Sequence, residues 1–359
     1  MKRLIPVLLL GVIIASASCD VRVDNLGVFG KAANSDVLGQ DGVTPIPFDE
    51  KTCLWTFGDT ILGSWKGDVS AYATFSDRVN VSSMLSNSLA FTDAPTDVNV
   101  SSLKFRFYRE KGRVVQFIRY RKGEKPGRDR LWAADGIRAG NCVYVYYMNI
   151  RITDPKSPLS FKLNGIGLAR WRVPEGWKPG QRVEFERLPD VFPSGFPAFG
   201  TCVIKQGEYL YTIGHYSSQG LSSPVKIARV KINSIEKGQE YEFLTREGFW
   251  VKDIDKAEQF LGDVMGECSL SYNRFLKRYV IVYCQMFTGK IVMVSFKDFS
   301  ELYKAPKHVV YEMPRLKPAD PAKPVFYYSG KEIFAGRDSL YSVFMHPLEY
   351  QPYLLKISY

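Results

Sequence analysis

One pattern recurs along this chain: a short run of β-branched and aromatic residues that ends in a polar side chain. Leu54-Trp55-Thr56-Phe57-Gly58-Asp59 aligns position for position with Leu210-Tyr211-Thr212-Ile213-Gly214-His215. Val143-Tyr144-Val145-Tyr146-Tyr147-Met148-Asn149 and Tyr279-Val280-Ile281-Val282-Tyr283-Cys284-Gln285 keep the same outline, and the terminal YLLKISY reads as a fifth, truncated copy. With Trp55, Tyr144, Tyr211, Tyr279 and Tyr353 as markers, the intervals are 89, 67, 68 and 74 residues. A quasi-period of that size is the mark of a repeat architecture.

Each marker run follows another β-rich run across a polar turn, as in ECSLSY–NR before Tyr279 and ADGI–RAGN before Cys142. Such turns between alternating runs are hairpin signals. Further strands follow at 88–92, 105–108 and 225–230, and only 253–261 has a helical look. Four strands in each of five units predict an all-β fold, a five-bladed β-propeller. The last unit lacks its outer strands, so residues 21–28 are expected to supply one and close the ring through the N- and C-terminal segments. That closure leaves few exposed edges. A β-sandwich ranks second because it requires no such period.

Residues 1–18 read as a signal peptide. Lys2 and Arg3 precede an apolar stretch, 4–17, too short to span a bilayer, and Ser16-Ala17-Ser18 leads into Cys19. Small residues before a cysteine predict lipidation at Cys19, with ordinary cleavage near Ser18 as the alternative. The mature unit is then a single propeller domain, 20–359, exported to the periplasm or cell surface and touching the membrane only through its N-terminal lipid. Without Lys2 and Arg3 the chain keeps 46 basic residues against 37 acidic, a net of +9. The basic residues are scattered and form no nucleic-acid-binding motif, which argues against a nucleic-acid partner.

Five cysteines remain after Cys19, an odd number, and with three histidines and no C-x-x-C a zinc cluster is not expected. No cofactor and no metal are predicted. Cys268 and Cys284 lie at the two ends of one hairpin, which leaves a disulfide between them open as a minority reading.

In a propeller the first strand of each unit starts, and the second ends, on one face around the central passage. First-strand starts carry Asp41, Asp135, Phe199-Gly200, Glu267 and Asp338; second-strand ends carry Asp59, Asn149, His215 and Gln285. Carboxylates gathered in one funnel predict glycoside hydrolysis, in which one acid protonates the leaving oxygen and another activates water or attacks the sugar. Crowding them raises at least one pKa and keeps a proton at hand. Trp55, Trp132, Tyr216 and Tyr272 offer flat faces for sugar rings. Taken singly, each acid has an ordinary structural reading: Asp41 and Asp135 precede glycines as turn residues do, and Asn87 in Ser86-Asn87-Ser88 is a turn residue before a strand.

The segment LWTFGDT at 54–60, downstream of Gly39-Gln40-Asp41-Gly42, resembles the signature of the domain-of-unknown-function 4185 family. WAADGIRAGNCVYVYYMN, ECSLSYNRFLKRYVIVY and MHPLEYQPYLLKISY resemble it too. The resemblance implies a five-bladed propeller among exported bacterial proteins, some of them endo-acting D-arabinan hydrolases. It places Asp41 and Asp59 on the motif carboxylates; Glu267 and Asp135 come from the strand-end argument. The expected function is therefore an endo-arabinanase-like hydrolase of a furanose-rich polysaccharide or oligosaccharide, working as a monomer. Asp41 is expected as base or nucleophile, Glu267 as acid and Asp135 as a neighbour that tunes them. Asp59, Asn87, Asn149, His215, Tyr216 and Gln285 are expected to bind sugar. The alternative is a glycan-binding or scaffold propeller without turnover.

Overall fold

The computed structural model describes residues 21–30, 36–66, 79–154, 160–215, 225–317 and 325–358. Cys19 and Tyr216 lie outside the described residues. β-Branched and aromatic residues dominate the strands, which form five antiparallel sheets of four or five strands. The first runs Thr44–Pro47, Thr52–Phe57, Ser88–Asp93 and Arg106–Phe107. The second starts with Asp129–Ala139, Cys142–Ile152 and Phe161–Arg172. The third starts with Ala198–Gln206, Tyr209–His215 and Lys226–Lys231. The fourth runs Val264–Asn273, Arg278–Gln285, Lys290–Phe296 and Lys307–Glu312. In the fifth, Tyr328–Ala335, Ser339–His346 and Gln351–Ser358 are joined by the N-terminal strand Arg22–Val28. A smaller sheet of Val37–Gln40, Thr60–Trp65 and Val79–Leu85 stands beside them.

The core is divided between the sheets. Leu54, Leu89, Leu131 and Val145 pack between the first and second, and Leu168, Phe199 and Leu210 between the second and third. Ile213 meets Tyr283 between the third and fourth, and Val282 meets Leu340 and Phe344 between the fourth and fifth. Trp55, Ile333 and Val343 fill the space between the fifth and first. Each sheet is thus covered on both faces, which explains strands such as Thr52–Phe57 that are buried at every position. The arrangement is propeller-like.

The innermost strands share one detail that positions the site. Register breaks between Ala133 and Gly136, Phe199 and Cys202, Val264 and Cys268, and Tyr328 and Lys331 fall at equivalent places in sheets two to five. A bulge re-aims the side chain at the break. Asp135, Gly200-Thr201, Glu267 and Ser329-Gly330 therefore occupy matching spots.

Three expectations are corrected here, and the disulfide reading left open is not met. The last repeat was assigned to the wrong strand: Gln351–Ser358 is the third strand of its sheet, and the second is Ser339–His346, with Tyr341 as its marker. Asp338 accordingly sits in an exposed turn after the inner strand instead of at its start. Residues 253–261 form only a short 3-10 turn, Ile254–Lys256, capped by the Asp253 carboxylate. Cys268 and Cys284 are free thiols; Cys268 pairs in register with Tyr283, so its neighbour Cys284 points to the opposite face of the sheet.

Candidate active site

Two cavities meet the innermost strands. The first, of about 360 Å³, is lined by Asp41, Asp59, Glu267, Trp132, Tyr328 and Tyr350 together with Met148, Phe161, Met265 and Phe326. Asp41 and Asp59 are brought together by their backbones: Asp41 N–H donates to Asp59 C=O at 3.2 Å, and Gly58 N–H to Asp41 C=O at 2.9 Å. The glycines of the two motifs make this approach possible. A Cβ on Gly58 would lie 2.6 Å from Asp41 Oδ1, and Gly42, at φ +68°, faces Gly58 and Glu267 Oε1.

The carboxylates differ in their surroundings. Asp41 Oδ2 accepts the hydroxyls of Tyr350 at 2.9 Å and Tyr328 at 3.2 Å. Burial, then the nearby Asp59 and Glu267, push its carboxyl up to about 8 against the pull of the two hydroxyls. Surroundings of this kind favour the protonated carboxyl, as an acid needs, whereas the expected role of Asp41 is that of base or nucleophile. Burial pushes Asp59 up to about 6, opposed by Arg130 and by a hydrogen bond from Trp132. Its Oδ1 faces Arg130 Nε at 3.7 Å and has no hydrogen-bond partner among the described residues. Glu267 Oε2 is 2.5 Å from the ammonium of Lys331, and both side chains are buried.

Asp135, expected beside these acids, belongs to the second cavity, of about 320 Å³, with Lys331, Glu332, Thr44 and the thiols of Cys53, Cys202 and Cys268. Its two oxygens accept the backbone N–H groups of Gly136 and Val203, both at 2.6 Å. The bond to Val203 ties the second sheet to the third. Burial pushes its carboxyl up to about 7 despite these donors.

Several expected sugar contacts are also corrected. Asn87 is fully buried: its Oδ1 accepts Phe117 and Ile118 N–H, and its Nδ2 donates to Ile118 and Leu131 C=O, so it is fully committed to structure. His215 is buried away from the first cavity, and burial lowers its imidazole to about 3, which keeps it neutral. Gln285 donates to Asp263 and accepts Thr288, again outside the cavity. Met148, not its neighbour Asn149, lines the wall, as strand alternation requires. Of the four aromatics, Trp132 alone is a lining residue among those described. Trp55 is fully buried with its indole N–H on Thr92, and Tyr272 packs edge-on against Tyr279.

Four residues that contact these acids have no local signature in the sequence. Tyr328, Tyr350, Arg130 and Lys331 reach the acids from distant positions, Tyr350 across 309 residues. Among the described residues, no group of histidine, cysteine and carboxylate side chains is arranged to hold a metal ion.

Known proteins place this geometry in context. No curated protein matches the sequence. A crystal structure from Bacteroides ovatus, described as a candidate hydrolase, matches with a TM-score of 0.66 at 16% identity, covering 94% of this chain and 90% of the other. Zg3597, a family 117 glycoside hydrolase of Zobellia galactanivorans, matches with a TM-score of 0.53 at 8% identity, covering 94% and 90%. At such identities the likeness speaks for the fold, which this chain shares with a glycoside hydrolase. The family described as a domain of unknown function, DUF4185, matches residues 31–357, nearly the whole described structure, and the chain belongs to that family.

Proposed function

We propose that the chain is a glycoside hydrolase whose reaction cavity is the one shared by Asp41, Asp59 and Glu267. The observation that carries this reading is their convergence: three carboxylates from separate stretches of chain line one largely apolar cavity beside an indole. Glycoside cleavage needs a protonated acid and an ionised carboxylate on either side of the scissile bond. Asp41 is the acid. Its Oδ2 is held by two tyrosine hydroxyls, which leaves Oδ1, on the side cleared by Gly58, to carry the proton to the leaving oxygen. Glu267 is the base or nucleophile, through the oxygen that Lys331 does not hold. Asp59 Oδ1, which faces Arg130 without a hydrogen bond, is offered to a sugar hydroxyl, and Trp132 offers its ring face to the sugar.

The finer reading follows the family resemblance: an endo-acting hydrolase of a furanose-rich, arabinan-type polysaccharide. It is exported, held at the membrane by a lipid on Cys19, and built as five blades closed by the pairing of Arg22–Val28 with Gln351–Ser358. The test is a panel of arabinan, arabinogalactan and xylan with products separated by size, run on wild type, Asp41→Asn and Glu267→Gln. Each substitution is expected to lower turnover about 10²–10⁴-fold. An activated aryl glycoside, which leaves without protonation, is expected to restore Asp41→Asn but not Glu267→Gln. Retained turnover in both variants overturns the site; binding of these glycans without any cleavage by the wild type favours the glycan-binding alternative.

A further inference from the structure

We propose that Lys331 is a positioning residue for Glu267, pinning one carboxylate oxygen at the waist between the two cavities so that the other is presented to the reaction cavity. The proposal builds on the hydrolase reading above. Lys331 follows the bulge of the fifth inner strand, the same bulge that in the second and fourth sheets sets Asp135 and Glu267. Its side chain is only 2% exposed, and its ammonium donates to Glu267 Oε2 at 2.5 Å and to Thr44 Oγ1 at 2.8 Å. Fully buried lysines are rare and costly unless paired. Two partners on two different sheets fix where this one points.

The pair divides the inner space. Lys331 lines the second cavity, Glu267 the first. Glu267 Oε1 lies 3.3 Å from the place a Cβ would take on Gly42, itself a wall of the first cavity, so the free oxygen is on the reaction side.

The other titratable groups around Glu267 make a cation necessary. Asp41 and Asp59 face it from the first cavity and Asp135 from the second sheet; Cys268 follows it on its own strand, and Cys202 and a neutral His215 lie toward the third. Arg130 is engaged with Asp59. Lys331 is thus the cation in direct contact with Glu267 amid three other acids.

Two measurements test this. Thermal unfolding of wild type, Lys331→Met, Glu267→Gln and the double variant is followed from pH 5 to pH 8, with no ligand present. Burying a carboxylate without its counter-charge costs most where the carboxylate is ionised, so the loss of stability on removing the ammonium grows as pH rises. Lys331→Met is expected to lag wild type more at pH 8 than at pH 5, and the extra lag is expected to shrink in the Glu267→Gln background, the remainder belonging to Asp135. A lag independent of pH, or one undiminished in the double variant, overturns the proposal. In turnover of arabinan, Lys331→Met is expected to move the acid limb of the kcat/KM profile upward by about 1–3 pH units with KM little changed, and Lys331→Arg to restore it. An unmoved limb also overturns it. A wild type without turnover sinks the hydrolase reading only, and the unfolding series then decides the role of Lys331.

Discussion

Asp135 and Glu267 stand at the same bulge on equivalent inner strands, yet the fold uses them differently. Asp135 fills both oxygens with backbone N–H groups, one of them on the neighbouring sheet. Glu267 meets a lysine on one oxygen and keeps the other beside the reaction cavity. A repeat architecture thus supplies equivalent strand positions whose partners differ: two backbone donors for Asp135, a lysine for Glu267.

Exchanging the amides breaks this comparison most directly. Glu267→Gln is expected to abolish most turnover while Asp135→Asn keeps it per folded molecule. The cost of Asp135→Asn falls on stability, about 1–3 kcal/mol, because the new NH₂ group turns a donor toward a backbone donor. Chemical denaturation alongside initial rates separates the two effects. An Asp135→Asn variant that is stable but inactive would return Asp135 to the reaction and erase the distinction.

A smaller effect lies in pH. The folded-state carboxyl of Asp135 is raised from 3.8 to about 7. Between those values the unfolded chain has lost its proton and the folded chain still holds it, so this group's contribution to stability declines as pH rises and levels off above about 7. Asp135→Asn is expected to flatten that part of the stability profile. Asp41, raised to about 8, instead marks the reaction: kcat/KM is expected to fall as pH climbs past that value and the acid loses its proton. A rate profile that follows the Asp135 window in place of the Asp41 one would reverse the roles of the two cavities.

The sequence carried the repeat because each second strand is covered on both faces and so reads as a continuous apolar run. Its last copy was misplaced because Gln351–Ser358, a third strand, is as apolar as a second. The strand-end argument found Asp41, Asp59 and Glu267 because backbone position alone brings those side chains inward. Backbone position also brings Asp135 inward, near Glu267 and Lys331, but does not say that two backbone donors will hold its oxygens, and the buried partners of Asn87 have no signal in the sequence. The tyrosines, Arg130 and Lys331 were out of reach for a different reason: their partners lie in other sheets, and no local pattern encodes a contact that exists only after folding.

The second cavity also holds the thiols of Cys53, Cys202 and Cys268, one from the first sheet, one from the third and one beside Glu267. If this cavity were a second reactive centre, its thiols would be the first candidates for nucleophiles. Burial argues otherwise: it pushes Cys268 up to about 12, and Cys53 and Cys202 upward as well. Cys202 further exchanges hydrogen bonds with the backbone N–H and C=O of Leu270. The thiolate is the reactive form, so buried, protonated sulfurs are inert. Native protein at pH 8 is therefore expected to leave all five described thiols unmodified by iodoacetamide, with every one labelled after denaturation. Labelling of Cys53, Cys202 or Cys268 in the native state, read by peptide mass mapping, would show a cavity open to reagents and would make the inert half of the comparison an active one.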